Sequence, residues 1–303
     1  MSLILGMIPM ILMMVAPILI CAIGGMISER SGVTNIALEG LLCFGGCSAA
    51  IAHKLFELAG VSHSLSIVVS LCIGSVIAGL ISLIHAYTAI DLGADQTISG
   101  TGINLLANGA TIFASQIFFK ADRTKEFQMG MQTDRLGIYP TAYIAIVVVL
   151  LAWFVLYKLP YGMHLRACGE HPAAAESVGI NVRRIRYQAV LVSGILGGLA
   201  GGCCVLTQTI QYTSNTINGK GFIALAAVSF GRWTPLGVTL ASLLFGAAQA
   251  FSVIATNFGA LRVLPSDFFN ILPYVITLVA LIFTSGKNYA PLDVGKPYTK
   301  GAS

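Results

Sequence analysis

The sequence predicts an all-α, polytopic transmembrane helical bundle of about 8–10 spans, some broken or short, and three observations predict it. Only 10% of the 303 residues are charged while 56% are hydrophobic, and the mean hydropathy is +0.84. Soluble domains carry roughly 25% charged residues, so this chain cannot cover a globular surface with polar groups. Windows free of Asp, Glu, Lys and Arg at 1–28, 64–90, 96–119, 136–157, 187–219, 233–261 and 268–286 exceed the ~18 residues that mark a membrane-crossing helix. These runs are continuous rather than alternating. In hydrocarbon each segment must satisfy its own backbone polar groups, which selects helices over a β-barrel.

In chain order, helices are expected near 3–27, 36–52, 65–90, 97–119, 139–158, 188–207, 222–231, 236–256 and 269–285. The first, Leu3–Ile27, reads as a retained span: no Lys or Arg precedes it, and it is longer than a signal-peptide core. The second is short and follows the polar run Ser28-Glu29-Arg30-Ser31-Gly32. The third, fourth and fifth are full-length and uninterrupted. The sixth carries SGILGGLAGG at 193–202, with small residues at 194/198, 197/201 and 198/202. That spacing lets helix backbones approach closely, and close packing is its expected role rather than a hinge. The seventh is too short to cross a ~30 Å core, so it is a half-helix or the first part of a broken one.

Both halves of the chain thus pass from a Gly-rich apolar run through a polar break into a short helix. The first does so from Gly24-Gly25 through Glu29-Arg30 to Gly40, the second from Gly197–Gly202 through Asn215–Gly221 to Phe222. Paired interruptions of this kind point to two pseudo-symmetric halves and a pathway running past the breaks.

Charge and cysteine usage exclude other classes. The net charge of +5 is the usual basic excess of membrane-protein loops and implies no nucleic acid. Of the seven cysteines, six lie in apolar runs, where the thiol is a small hydrophobe. Cys43 and Cys47 share a helix face, yet no His or carboxylate joins them at ligand spacing, so no metal site is expected. Orientation follows from the basic residues. With 159–187 on the cytoplasmic side, Arg30, Lys158, Arg166, Arg183, Arg184, Arg186, Arg232, Lys287, Lys296 and Lys300 fall inside. Lys54, Lys120, Arg123, Lys125, Arg135, Lys220 and Arg262 fall outside. This reading puts the N-terminus outside and the C-terminus inside.

The loop 159–187 is the long basic interruption of the chain. Pro172 suits a first helical position, Ala173, Ala174 and Ala175 are strong helix formers, and Gly179 can take the left-handed cap. A helix follows over Pro172–Val178, too short to be stable alone. Arg183, Arg184 and Arg186 are expected at the lipid headgroups as a positive-inside anchor.

Four stretches, SERSGVTNIALEG at 28–40, GMHLRACGEHPAAAESVGINV at 162–182, SGILGGLAGG at 193–202 and GFIALAAVSFGRWTPLGVTLASLLFG at 221–246, carry a resemblance. The chain resembles the integral membrane permeases of ABC importers, in the branch serving branched-chain amino acids, ribose and nucleosides, and most of all the shorter permease of nucleoside importers. Cys168 and His171 stand where that family more often carries Val and Asn. The resemblance implies one permease domain over 1–303 in a bacterial plasma membrane. It implies that Pro172, Ala173, Ala174, Ala175, Glu176, Ser177, Val178 and Gly179 form a coupling helix that docks on a cytoplasmic ATPase. It further implies a second, related permease and an extracytoplasmic substrate-binding lipoprotein. The sequence contains no GxxxxGK[ST] phosphate loop, so ATP and Mg are expected on the partner ATPase. This chain is then a transport subunit, with no catalytic residue or cofactor of its own.

Polar side chains inside apolar helices face a cavity or another helix, which singles out Asn35, Glu39, Asn104, Asn108, Gln116, Gln208 and Gln249. Asn104 and Asn108 are one turn apart, and Phe44 and Phe222 could stack on a base near the two breaks. Asn35, Glu39, Phe44, Asn104, Asn108, Phe222 and Gln249 are the pathway candidates. Interhelical hydrogen bonding is the competing role for each amide. Simple sugars or branched-chain amino acids are the alternative cargo. An ion-coupled secondary transporter is the alternative class, with Glu39 the main intramembrane acid available to it.

Overall fold

A computed structural model describes residues 2–255, 271, 275 and 289–298, and all its described regular structure is helical. In order these are α1 (Ser2–Arg30), α2 (Leu38–Leu58), α3 (His63–Ala86) running into a π-helical turn (Tyr87–Asp91), α4 (Gln96–Phe119) and α5 (Pro140–Lys158). After them come α6 (Pro160–Glu170), α7 (Pro172–Ser177), α8 (Val182–Gln208), α9 (Lys220–Phe230) and α10 (Pro235–Ala255). Among the described residues seven helices are long and apolar enough to cross a membrane, with α9 an additional short apolar one. The expected helix at 269–285 lies outside the described residues except at positions 271 and 275.

Two boundaries moved for electrostatic reasons. The second helix was expected to stop near 52, ahead of His53, Lys54 and Glu57. It runs on to Leu58 because Lys54 Nζ pairs with Glu57 at 3.1 Å, one turn along the same face. The sixth expected helix starts at Val182 rather than 188, capped by Asn181, whose Oδ1 accepts from Arg184 N at 2.9 Å. A third difference is α6: the stretch read as loop before Pro172 is an eleven-residue helix with Pro160 at its start.

The bundle is built around α8 and α1, whose apolar windows are 72% and 67% buried. The corresponding figure for α4 and α5 is 28%, which leaves those two facing outward. The core is made of Ile18–Ile23 and Met26 on α1, Leu38, Leu41 and Leu42 on α2, and Ala200–Leu206 on α8. Close approach at its centre depends on glycine. A methyl group on Gly201 would collide with the Leu42 carbonyl oxygen, and one on Gly45 with the backbone of Gly198. On the other flank, a methyl on Gly198 would lie 2.5 Å from Gly74 O. The 193–202 tract therefore packs α8 between α2 and α3, as expected of such spacings.

A stability prediction arises here. Gly201→Val is expected to destabilise the bundle by more than the ~1–3 kcal/mol of ordinary overpacking, because the obstacle is backbone. In detergent it should lose its monodisperse size-exclusion peak. Gly109→Ala, where nothing lies within 4 Å, should keep it.

Candidate coupling surface and translocation path

One end of the bundle collects the end of α1, α6, α7, the start of α8, the α9–α10 turn and residues 289–298. Arg30 Nε donates to Trp233 O at 2.9 Å, and the Trp233 indole N–H donates to Glu29. Arg30 also lies 3.8 Å from Glu170 at the end of α6. The opposite end is held by a different set. Glu57 accepts from Gln128 N, and Phe127 N and Thr124 N donate to Ile210 O and Tyr212 O. The basic residues assigned inside that fall among the described residues, Arg30, Arg166, Arg183, Arg186, Arg232 and Lys296 among them, gather on elements of the first end. Among the described residues assigned outside, Lys220 is the exception, since it opens α9 beside Glu39 rather than at an end.

At the first end α7 stands as a separate six-residue helix. Its inner side is fixed by burial of Pro172 and Ala175, and its C-terminus closes with Gly179 at φ +87° and Ile180 N donating to Ala175 O at 3.1 Å. Ala173, Ala174, Ser177 and Val178 face out, and Val178 is 75% exposed. An exposed aliphatic side chain on a small-residue face matches the helix-in-groove mode of docking. Glu176 accepts from the Tyr298 hydroxyl, which pushes the Tyr298 pKa up to about 12.

Arg186 departs from expectation. Arg183 and Arg184 are exposed, Arg183 pairing with Asp91 at 2.6 Å. Arg186 instead points inward and is only 2% exposed. It cannot be a headgroup anchor, because Asp293 draws it in with an Nη2–Oδ2 contact of 2.7 Å. Burial pushes the neighbouring Cys168 thiol up to about 11 despite the guanidinium, so it stays neutral there.

The pathway candidates divide. Asn35, Glu39 and Asn104 converge on the break between α1 and α2. Asn35 is fully buried, its Nδ2 donating to Ser193 Oγ at 2.8 Å while its Oδ1 has no hydrogen-bond partner. Asn104 fastens α4 to the break, donating to Ile36 O at 2.9 Å and accepting from Gly40 N at 2.7 Å. Glu39 reaches across to the second break and accepts from Gly219 N and Gly221 N, each at 2.7 Å. Those amides open α9, a half-helix with no side-chain cap of its own, and a carboxylate is the group a helix N-terminus favours. The two breaks therefore meet. Phe222, half exposed, adjoins that junction.

The others lie elsewhere. Phe44 lines an apolar groove of about 460 Å³ with Cys47, Ile51, Ile77 and Phe118. Asn108 is exposed on α4, away from Asn104's partners. Gln249 on α10 carries a buried, unpartnered Oε1. Of the two further polar residues, Gln116 donates to Asp122 at 2.7 Å and Gln208 donates to Met13 O at 3.0 Å. Sequence reasoning missed Ser193, Trp233, Asp293 and Tyr298. Each acts on a partner more than 100 positions away, and no local pattern marks such pairs.

Asn104 permits a test. Asn104→Leu removes both interhelical bonds, so it is expected to lower thermal stability and maximal uptake while leaving the substrate KM unchanged. Interhelical side-chain bonds in membranes contribute roughly 0.6–2 kcal/mol. A changed KM or altered selectivity in transport assays would place this side chain on the substrate path instead.

Comparison with known proteins adds the family dimension. Residues 7–281 match the family described as branched-chain amino acid transport system / permease component. The guanosine ABC transporter permease protein NupQ of Bacillus subtilis is 39% identical over 97% of this chain and 96% of its own length. The nucleoside ABC transporter permease protein NupC of Lactococcus lactis is 36% identical, covering 94% and 93%. A second B. subtilis protein, the guanosine ABC transporter permease protein NupP, is 25% identical over 95% of this chain and 84% of its own length.

Proposed function

The chain belongs to the family of branched-chain amino acid transport system permease components, and from that premise we propose that it is the membrane subunit of an ATP-driven importer of nucleosides. The observation that carries the cargo assignment is full-length likeness, at 39% and 36% identity, to permeases named for guanosine and nucleosides. The residues Pro172–Gly179 are the coupling element, and the exposed Ala173–Ala174–Ser177–Val178 face is the part an ATPase subunit grips. ATP and Mg belong to that subunit.

This permease works beside a second, related one. In B. subtilis two proteins bear the guanosine permease name, and this chain is similar to both, more so to NupQ. An extracytoplasmic binding lipoprotein hands substrate to the far end of the bundle, and the assembly sits in a bacterial plasma membrane. The whole chain, 1–303, serves as one permease domain. When the ATPase closes, force on α7 tilts the α1–α2 break, and with it the Glu39–α9 junction, so that the path opens alternately to the two sides. Asn35, Glu39 and Asn104 hold this moving junction together, and Phe222 is the pathway candidate placed to meet a base.

Cargo is tested by competition. In proteoliposomes holding both permeases, the ATPase and the binding lipoprotein, labelled guanosine uptake should be suppressed by excess unlabelled adenosine and unaffected by ribose or leucine. Suppression by leucine or a simple sugar, with no effect of nucleosides, would reassign the cargo.

A further inference from the structure

We infer that Arg186 and the C-terminal segment 289–298 form a strap that transmits coupling-helix movement to the α1–α2 break, so that this arginine positions the pathway for transport. The inference deepens the proposed function and rests on α7 being the element an ATPase moves.

The geometry is a hub with three arms. Toward the break, Arg186 Nε donates to Ser31 O at 3.1 Å, and its Nη2 occupies the space beside Gly32 that a side chain there would fill, 2.6 Å from a would-be Cβ. Toward α6, Nη2 lies 3.5 Å from Cys168 O. Toward the C-terminal segment, it pairs with Asp293 at 2.7 Å, lies 3.4 Å from Lys296 O through Nη1, and stacks at 5.6 Å over the Tyr298 ring.

The segment itself is tied to the same two regions. Asp293 N donates to Gly169 O at 2.9 Å and Leu292 N to Glu170 at 3.3 Å, while the Tyr298 hydroxyl donates to Glu176 on α7. On its other side Gly295 N donates to Gly32 O at 3.1 Å. One short stretch thus bonds the coupling helix, the end of α6 and the break, with a buried cation at its centre. From the break, Asn35, Asn104 and Glu39 continue the chain of contacts to Ser193, α4 and the start of α9.

Burial explains why a guanidinium serves here. Desolvating a cation is costly unless its geometry is satisfied, and the planar five-donor fork of Arg can meet several acceptors at fixed angles, which a Lys ammonium cannot reproduce. With one planar group bonded to Ser31, Cys168, Asp293 and Lys296 at once, displacement of α7 reaches the break through the strap.

The experiment compares ATP hydrolysed with nucleoside transported in the reconstituted full complex, for Arg186→Lys and for Asp293→Asn. Both are expected to assemble and to keep substrate-stimulated ATP hydrolysis, while nucleosides moved per ATP fall about tenfold, inside the usual span of site-to-site coupling. Asp293→Asn is the gentler change, since Asp293 sits at the partly exposed edge of the hub. An unchanged transport-to-hydrolysis ratio in Asp293→Asn, or a parallel fall of both activities, would overturn the strap. So would failure of both variants to assemble, because the contact would then serve folding alone. Failure of the underlying reading looks different: hydrolysis and assembly would be indifferent to changes on the exposed face of α7.

Discussion

Glu39→Ala is expected to abolish uptake and to lower the thermal stability of the detergent-solubilised protein by the largest margin of any single polar substitution in the bundle. The carboxylate meets the Gly219 and Gly221 amides at 2.7 Å each, at the start of a half-helix that has no side-chain cap. Removing it takes a charged acceptor from two part-buried backbone donors, and hydrogen bonds to charged groups contribute about 1.5–3 kcal/mol apiece. Folded proteins have only about 5–15 kcal/mol of stability to lose. The backbones of Glu39 and Gly221 are themselves in contact: a Cβ on Gly221 would lie 2.5 Å from Glu39 Cα. Glu39→Gln keeps one acceptor and turns an amide N–H₂ toward a backbone N–H, so it should recover part of the stability and little of the transport. The assay is thermal unfolding in detergent alongside uptake in proteoliposomes. Unchanged melting with a raised KM would show instead that Glu39 meets the cargo. The same geometry speaks against ion-coupled transport, since the acid that would carry a coupling ion already serves as a helix cap.

Charge on the outer face of α7 is expected to have the second large effect. Ala174→Arg and Val178→Asp alter side chains that face away from the bundle, so insertion and folding should be unaffected. A docking centre of this kind loses at least about 2 kcal/mol on disruption, roughly 30-fold in affinity. Co-purification of the ATPase subunit should fail for both variants, and substrate-stimulated hydrolysis should fall with it. The helix is too short to persist unaided, and it is held by burial of its own Pro172 and Ala175 and by closure at Gly179. Normal ATPase recovery with either variant would remove α7 from the interface.

Much of this arrangement was legible in the sequence because its signals are local. Apolar windows gave the spans, the Pro-Ala-Ala-Ala run gave α7, and the spacing of glycines in 193–202 gave the tight α8 contact. The length of the seventh helix pointed to a half-helix, and its N-terminus is where the two breaks meet. What escaped was non-local. The second helix, expected over 36–52, runs on past Lys54 because Glu57 pairs with it, and Arg186, expected at the headgroups, is drawn inward by Asp293. Helix α6 has a mixed, weakly apolar composition with Gly162 and Gly169 inside it, so no apolar run marks it in the sequence. Glu39 was recognisable as an intramembrane acid, but its task was written 180 residues away, in the amides of Gly219 and Gly221. Asn108 shares a turn with Asn104 yet faces outward, because side chains four apart on a helix diverge enough for a neighbouring helix to cover one and miss the other.

Transport through this chain is expected to require ATP hydrolysis by another subunit. Proteoliposomes containing the two permeases and the binding lipoprotein, with the ATPase subunit present, omitted, or inactivated in its phosphate loop, test that directly. Labelled guanosine should accumulate only with the active ATPase and ATP, and an imposed sodium or proton gradient should not replace them. Accumulation driven by an ion gradient in the absence of the ATPase would contradict the account.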